Sequence, residues 1–171
     1  MKNYKELLKG INTLVFDYDG VLTNGVVYIM EDGELLRTAN TKDGYAIHKA
    51  VEKGFNVVII SGGRNKSVKT RMENLGVTHT YTHVSNKKEC LLEFMNENQV
   101  KYENVLYMGD DIPDIQAMKE VVLPCCPDDA VEEVKSICHY ISDNKGGFGA
   151  VRDIIEQVLK AQNLWMNEGD I

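Results

Sequence analysis

The chain has 171 residues, 43% of them hydrophobic and 26% charged, values that predict one globular domain with a sizeable buried core. Acids outnumber bases 26 to 19, and the net charge of -7 argues against nucleic acid or an anionic membrane as partner. An anionic substrate must then be drawn by a local cation, most simply a bound metal. No apolar run reaches membrane-span length, and the first residues lack the apolar centre of a signal peptide, so a cytoplasmic protein is expected.

In chain order, Thr13 to Asp17 reads as a strand that ends in the run FDYDGVLT. Val26 to Thr38 reads as a hairpin closed at Glu31-Asp32-Gly33, since Asp-Gly between two β-prone runs is a hairpin signal. Asp43 is placed to cap a helix from Gly44 to Lys53, with Gly54 ending it. Phe55 to Ile60 is almost wholly apolar, as a strand buried on both faces of a parallel sheet should be. Asn65 is placed to cap the next helix, in which Val68, Met72 and Leu75 share a face before Gly76.

Thr80 to Thr82 follows as a short strand, Lys88 to Asn96 as a helix and Val105 to Met108 as a strand. Pro113 suits the first turn of a helix. Val121 to Leu123 and Tyr140-Ile141 read as two edge strands around a helix near Val131 to Lys135. A glycine-rich loop from Asn144 to Gly149 opens the C-terminal tail (144–171), whose helix is marked by Val151, Ile154, Ile155, Val158 and Leu159. Strands alternating with helices of these lengths predict an α/β fold with a doubly wound, mainly parallel sheet, its ligand site at the carboxyl ends of the strands.

Four such ends carry chemistry. Asp17 and Asp19 leave the first strand as a close carboxylate pair, which needs a cation or a shared proton. Ser61 follows the second apolar strand in VVIISGG, Lys87 opens a helix after SNK, and VLYMGDDIPD supplies Asp110, Asp111 and Asp114. Alone, each has a bland reading as turn, cap or solvated surface. Together, in this order, they do not. The cysteines, Cys90, Cys125, Cys126 and Cys138, form no C-x-x-C pair and read as buried reduced thiols, not zinc ligands.

The ordered set DYDGVLT, ISGG, SNK and GDDIPD resembles the haloacid dehalogenase phosphatase superfamily. The resemblance implies phosphoryl transfer through an aspartyl-phosphate with one Mg²⁺. It implies Asp17 as nucleophile and Asp19 as proton donor to the leaving oxygen and later acceptor from water. The Asp17 carboxylate, the Asp19 backbone carbonyl and Asp110 would hold the metal, with Asp111 and Asp114 in support. Ser61 and the Gly62 amide would hold phosphate oxygens, and Lys87 would offset their charge.

Across nearly the whole chain, DGVLTNG, KDGYAIHKAVEKG, ISGGR and KGGFGAVRDIIEQVLKAQ look like the cap-less 3-deoxy-D-manno-octulosonate 8-phosphate phosphatases. That family implies a sugar phosphate substrate of lipopolysaccharide synthesis and a homotetramer whose hairpin helps close a neighbour's site. Arg64 and Asp43 are candidate substrate contacts. The sequence departs from the family at Asn24, where an Asp is frequent, and at Phe148, where an Arg is. A sister function on a nine-carbon keto-sugar acid 9-phosphate is the alternative, set back by Gly63-Arg64 where an acid is usual. A receiver-like phospho-switch is disfavoured because its paired acids would come early, whereas GDD comes late here.

Overall fold

The computed structural model describes residues 3–64 and 66–166. A short helix, α1 (Tyr4–Leu7), and a 3-10 turn lead into strand β1 (Thr13–Phe16). A hairpin of β2 (Tyr28–Ile29) and β3 (Leu35–Leu36) follows, then α2 (Thr41–Glu52), β4 (Asn56–Ile60), α3 (Lys66–Asn74) and β5 (His79–Tyr81). The second half runs α4 (Lys87–Glu97), β6 (Val105–Met108), α5 (Ile115–Met118), β7 (Leu123–Cys126), α6 (Glu132–Lys135), β8 (Tyr140–Ile141) and α7 (Ala150–Ala161).

Six strands form one sheet in the order β5-β4-β1-β6-β7-β8, and every neighbouring pair is parallel. The chain builds outward from β1 to β5, then crosses β1 and builds the other way from β6. The switch lies between β1 and β6, where open α/β sheets leave a crevice at their strand ends. Both faces are covered. Leu14, Phe16, Val57, Ile59, Leu106 and Met108 point to the side of α2, α3 and α7. Val15, Val58, Ile60, Val105 and Tyr107 point to the side of α4, α5 and α6. Two-sided burial explains why these strands are apolar without alternation.

Two expectations shift. The strand expected at Val121 to Leu123 is β7, Leu123–Cys126, and it lies inside the sheet between β6 and β8. Proline normally marks an edge because it lacks a donor. Pro124 nevertheless accepts from the His139 N–H at 2.9 Å, so only the donor side of its ladder is lost. The cap of α2 is Asn40, which accepts from Lys42 N at 2.8 Å, and not Asp43. Asn65, expected to cap α3, lies outside the described residues.

Asp43 sits in the first turn of α2, 1% exposed, and its Oδ1 accepts from the Arg152 N–H of α7 at 2.8 Å. α7 has Gly149 at its N-cap and no cap from its own side chains, so the α2 carboxylate supplies one from outside. The hairpin behaves differently from the core. Val26, Tyr28, Ile29, Met30, Leu35 and Leu36 are 41–79% exposed, so they do not cover this chain's own interior.

Burial raises the Asp43 carboxyl above its ordinary value of 3.8, against the lowering effect of the Arg152 and Gly149 N–H groups. A folded value above the unfolded one means stability that is present at low pH and lost as pH rises through the folded value. Asp43→Asn keeps the acceptor and cannot ionise. Wild type should therefore lose stability relative to Asp43→Asn as pH is raised from about 4 to neutrality, read as urea midpoints across that range.

Candidate active site

The site begins where β1 stops. Asp17 still donates its backbone N–H to Met108 O at 3.1 Å, so its side chain leaves the sheet beside the end of β6. Asp17 Oδ1 accepts from the Tyr18 N–H at 2.7 Å. The chain then turns at Gly20, whose φ is +85°. A Cβ at Gly20 would stand 2.0 Å from Asp110 Oδ2, so the turn needs both the left-handed backbone and the missing side chain.

Asp110, Asp111 and Asp114 follow β6 in a tight 3-10 turn, where Asp111 and Asp114 form a capping box. Asp114 is the hub. It is fully buried and accepts from Lys87 Nζ at 2.8 Å and Tyr107 Oη at 2.9 Å, with the Asp110 and Asp111 N–H groups at 3.3 and 3.4 Å. Lys87, in the first turn of α4, also reaches Asp17 Oδ2 at 2.9 Å. One ammonium thus joins the acids of two strand ends. Ser61 follows β4, and its Oγ accepts from the Gly63 N–H at 3.1 Å. Asp17, Asp19, Ser61, Gly62, Lys87 and Asp110 are among the residues lining one cavity of about 680 Å³.

Charge is crowded here. Burial, then the Asp114 charge, pushes the Asp17 carboxyl up to about 7 in spite of Lys87. Burial, then Asp17 and Asp114, pushes Asp110 up to about 8. Burial works against the Lys87 charge, yet Asp17 and Asp114 outweigh it and hold the ammonium above its ordinary range. Asp17, Asp110 and Asp114 each offer an oxygen, all within 4.8 Å of one another. Asp110 Oδ1 is buried and has no hydrogen-bond partner among the described residues. An orphaned carboxylate oxygen beside two more acids fits a hard divalent cation. Both Asp114 oxygens are doubly engaged, by Lys87 and Tyr107 and by two amides, whereas each Asp17 oxygen carries one contact and Asp110 Oδ1 none, so Asp17 and Asp110 keep the lone pairs for a ligand role.

Two expected contacts are not brought to this cavity. Asp43 is consumed in the α2–α7 contact, and Arg64 is exposed outside the lining. Arg37, which pairs with Asp19 and which the sequence reading did not single out, adds positive charge near the Ser61 turn. Tyr107 was likewise hidden, as one aromatic in an apolar strand. The glycine-rich loop closes on the first motif. A Cβ at Gly146 would fall 1.8 Å from Gly20 O, and one at Gly147 would fall 2.6 Å from Asn24 N. Gly147 N–H donates to Val21 O at 2.9 Å, and Asn40 Nδ2 donates to Gly147 O at 3.0 Å.

Residues 39–126 match the model of the haloacid dehalogenase-like hydrolase family. The chain is 37% identical over 153 residues to the 3-deoxy-D-manno-octulosonate 8-phosphate phosphatase of Yersinia pestis, covering 90% of this chain and 82% of that one. It is 36% identical over 154 residues to the enzyme of the same name from Escherichia coli K12, with the same coverage. The crystal structure of the Yersinia pestis phosphatase superposes with a TM-score of 0.93 at 34% identity, over 98% of this chain and 90% of that one. That of the Moraxella catarrhalis phosphatase, in complex with magnesium, phosphate and KDO, gives 0.90 at 28%, over 93% and 91%. With its strand-end acids, hydroxyl and lysine in one cavity, the chain belongs to the haloacid dehalogenase-like hydrolases and, within them, to the 3-deoxy-D-manno-octulosonate 8-phosphate phosphatase family.

Proposed function

We propose that this chain is one cap-less phosphatase domain that hydrolyses 3-deoxy-D-manno-octulosonate 8-phosphate to the free sugar acid and phosphate. The observation that carries the reading is the Lys87 bridge between Asp17 and Asp114, in a chain 36–37% identical over 90% of its length to phosphatases of that substrate. Mg²⁺ is the proposed cofactor, held by Asp17, the Asp19 backbone carbonyl and Asp110, with Asp111 and Asp114 in support. When bound, it supplies positive charge that offsets the phosphate and the crowded carboxylates.

The protein groups divide the remaining work. An Asp17 oxygen forms a bond to phosphorus while the ester P–O bond breaks, its electron pair going to the sugar oxygen. Asp19 gives that oxygen a proton, then receives one from the water that splits the aspartyl-phosphate and restores Asp17. Ser61 and the Gly62 amide hold phosphate oxygens, and Lys87 offsets the charge that builds on them. Lys87 is preorganised for this, since two carboxylates already fix its ammonium.

In this reading the protein works as a cytoplasmic homotetramer, the hairpin of one subunit packing on a neighbour. The exposed apolar run from Val26 to Leu36 supports assembly, because such a strip left in water invites edge pairing. Four cysteines without a disulfide suit a reducing compartment.

The function is tested by direct competition between the eight-carbon 8-phosphate and a nine-carbon keto-sugar acid 9-phosphate. The former should show the higher specificity constant, and Asp17→Asn should lose roughly a thousandfold or more on both. A nine-carbon preference would replace the substrate named here.

Metal binding has a readout apart from turnover. Mg²⁺ at about a hundred times its Kd should raise the melting temperature by roughly 5–10 °C over EDTA-treated protein. Asp110→Asn should remove most of that shift, whereas an unchanged shift would place the metal elsewhere.

Assembly is checked by size exclusion with light scattering. Wild type should run as a tetramer, and Leu36→Asp, which puts a charge into the apolar strip, should run as a smaller species. A monomeric wild type with full activity would overturn the shared-site reading.

A further inference from the structure

Beside the cavity stands a cation that the hairpin supplies, Arg37, one residue beyond β3. Its Nε donates to Asp19 Oδ1 at 2.5 Å and its Nη2 to Asp19 Oδ2 at 3.0 Å. Its third nitrogen, Nη1, donates to Leu35 O at 3.4 Å and ties the guanidinium back to its own strand. The Arg37 side chain is only 9% exposed, although the hairpin before it is open to solvent. A planar fork on a carboxylate fixes orientation as well as charge, which a lysine could not do. The pair faces the phosphate turn: a methyl at Gly63 would stand 3.3 Å from Asp19 Oδ2, 3.4 Å from Ser61 Oγ and 3.5 Å from Arg37 Nη2.

We infer that Arg37 is a positioning residue for Asp19, aiming its carboxyl at the leaving oxygen and so making proton delivery depend on the hairpin. The inference rests on the reading of Asp19 as the proton donor. The balance of the step favours such a partner. As the Asp17–phosphorus bond forms and the ester bond breaks, the electron pair goes to the sugar oxygen, which takes the proton of Asp19. A carboxylate remains, and Arg37 is already in place to stabilise it. The fork uses one lone-pair site on each Asp19 oxygen and leaves the second site of each for the proton. The competing role is a tether that pins the hairpin to the core and has no part in proton transfer.

Leaving-group dependence separates the two. A nitrophenolate departs without a proton, whereas a sugar alkoxide does not. The quantity to measure is kcat/KM, which covers the path up to phosphorylation of Asp17 and is blind to the later role of Asp19 with water. With Mg²⁺ saturating, Arg37→Met and Arg37→Gln should lose about tenfold to a hundredfold in kcat/KM on the sugar 8-phosphate. Both should stay within about threefold of wild type on p-nitrophenyl phosphate, which also shows that the variants are folded. Equal losses on the two substrates, or no loss on either, would overturn the positioning role. Asp19→Asn is measured alongside and should show the same selectivity. If it loses both substrates alike, the proton-donor reading falls and the inference with it. If it is selective and the Arg37 variants are not, Arg37 alone is reassigned.

Discussion

Three carboxylates, Asp17, Asp110 and Asp114, are brought within 4.8 Å of one another at the inner edge of the sheet, and much of the local architecture answers that crowding. At an effective dielectric near 20, two like charges at 4 Å repel by about 4 kcal/mol. Lys87 bridges Asp17 and Asp114, Tyr107 and two amides saturate Asp114, and the last acid keeps an oxygen without a partner among the described residues. Asp114 is thus made tolerable by hydrogen bonds, while Asp17 and Asp110 are left to the proton or to a metal. Burial first, and then the neighbouring acids, hold both carboxyls far above the ordinary acid range.

The topology makes the crowding possible. β1 and β6 are adjacent and parallel, so both deliver their carboxyl ends to the same rim, and the reversal of strand order between them opens the crevice. Ser61 arrives from β4 on one side of β1, and Lys87 from the helix that follows β5. Hydroxyl, ammonium and acids therefore come from segments far apart in the chain, yet Asp17, Ser61 and Asp110 lie only one or two residues beyond a strand end, and Lys87 opens a helix. Site residues placed on such short extensions of a packed sheet inherit its rigidity.

This geometry also explains what could be read in the sequence. The ends of β1 and β6 were legible because a short apolar run stops at an acid followed by glycine or proline turn chemistry, a purely local signal. Ser61 and Lys87 were legible only through their order, a hydroxyl and then a lysine between the two acid motifs. Arg37 was not, because its partner Asp19 is reached only once the hairpin folds back, and nothing local separates it from Lys42 or Arg64. Tyr107 reads as core until its hydroxyl is seen on Asp114. Asp43 looks like a helix cap and is one, but of α7, a contact 109 residues away. The edge strand expected at Val121 to Leu123 is an inner strand that runs on through Pro124, and a single missing donor is tolerated inside the sheet. α1 is a four-residue helix, too short to show a period.

The interlock of Gly146 and Gly147 with the backbone of Gly20, Thr23 and Asn24 bears on where this chain can vary. Glycine-rich loops near a surface are ordinarily where proteins accept insertions, nicks and new termini. Here the loop is a wedge laid against the turn that sets Asp19, with contacts too close for any side chain. Lengthening it, or opening the chain within it, would release that turn even though residues 144–149 do not line the cavity. The exposed Glu31-Asp32-Gly33 turn is different: within one subunit a Cβ at Gly33 would meet nothing within 4 Å, so any limit on its length comes from the neighbour on which the hairpin is proposed to pack.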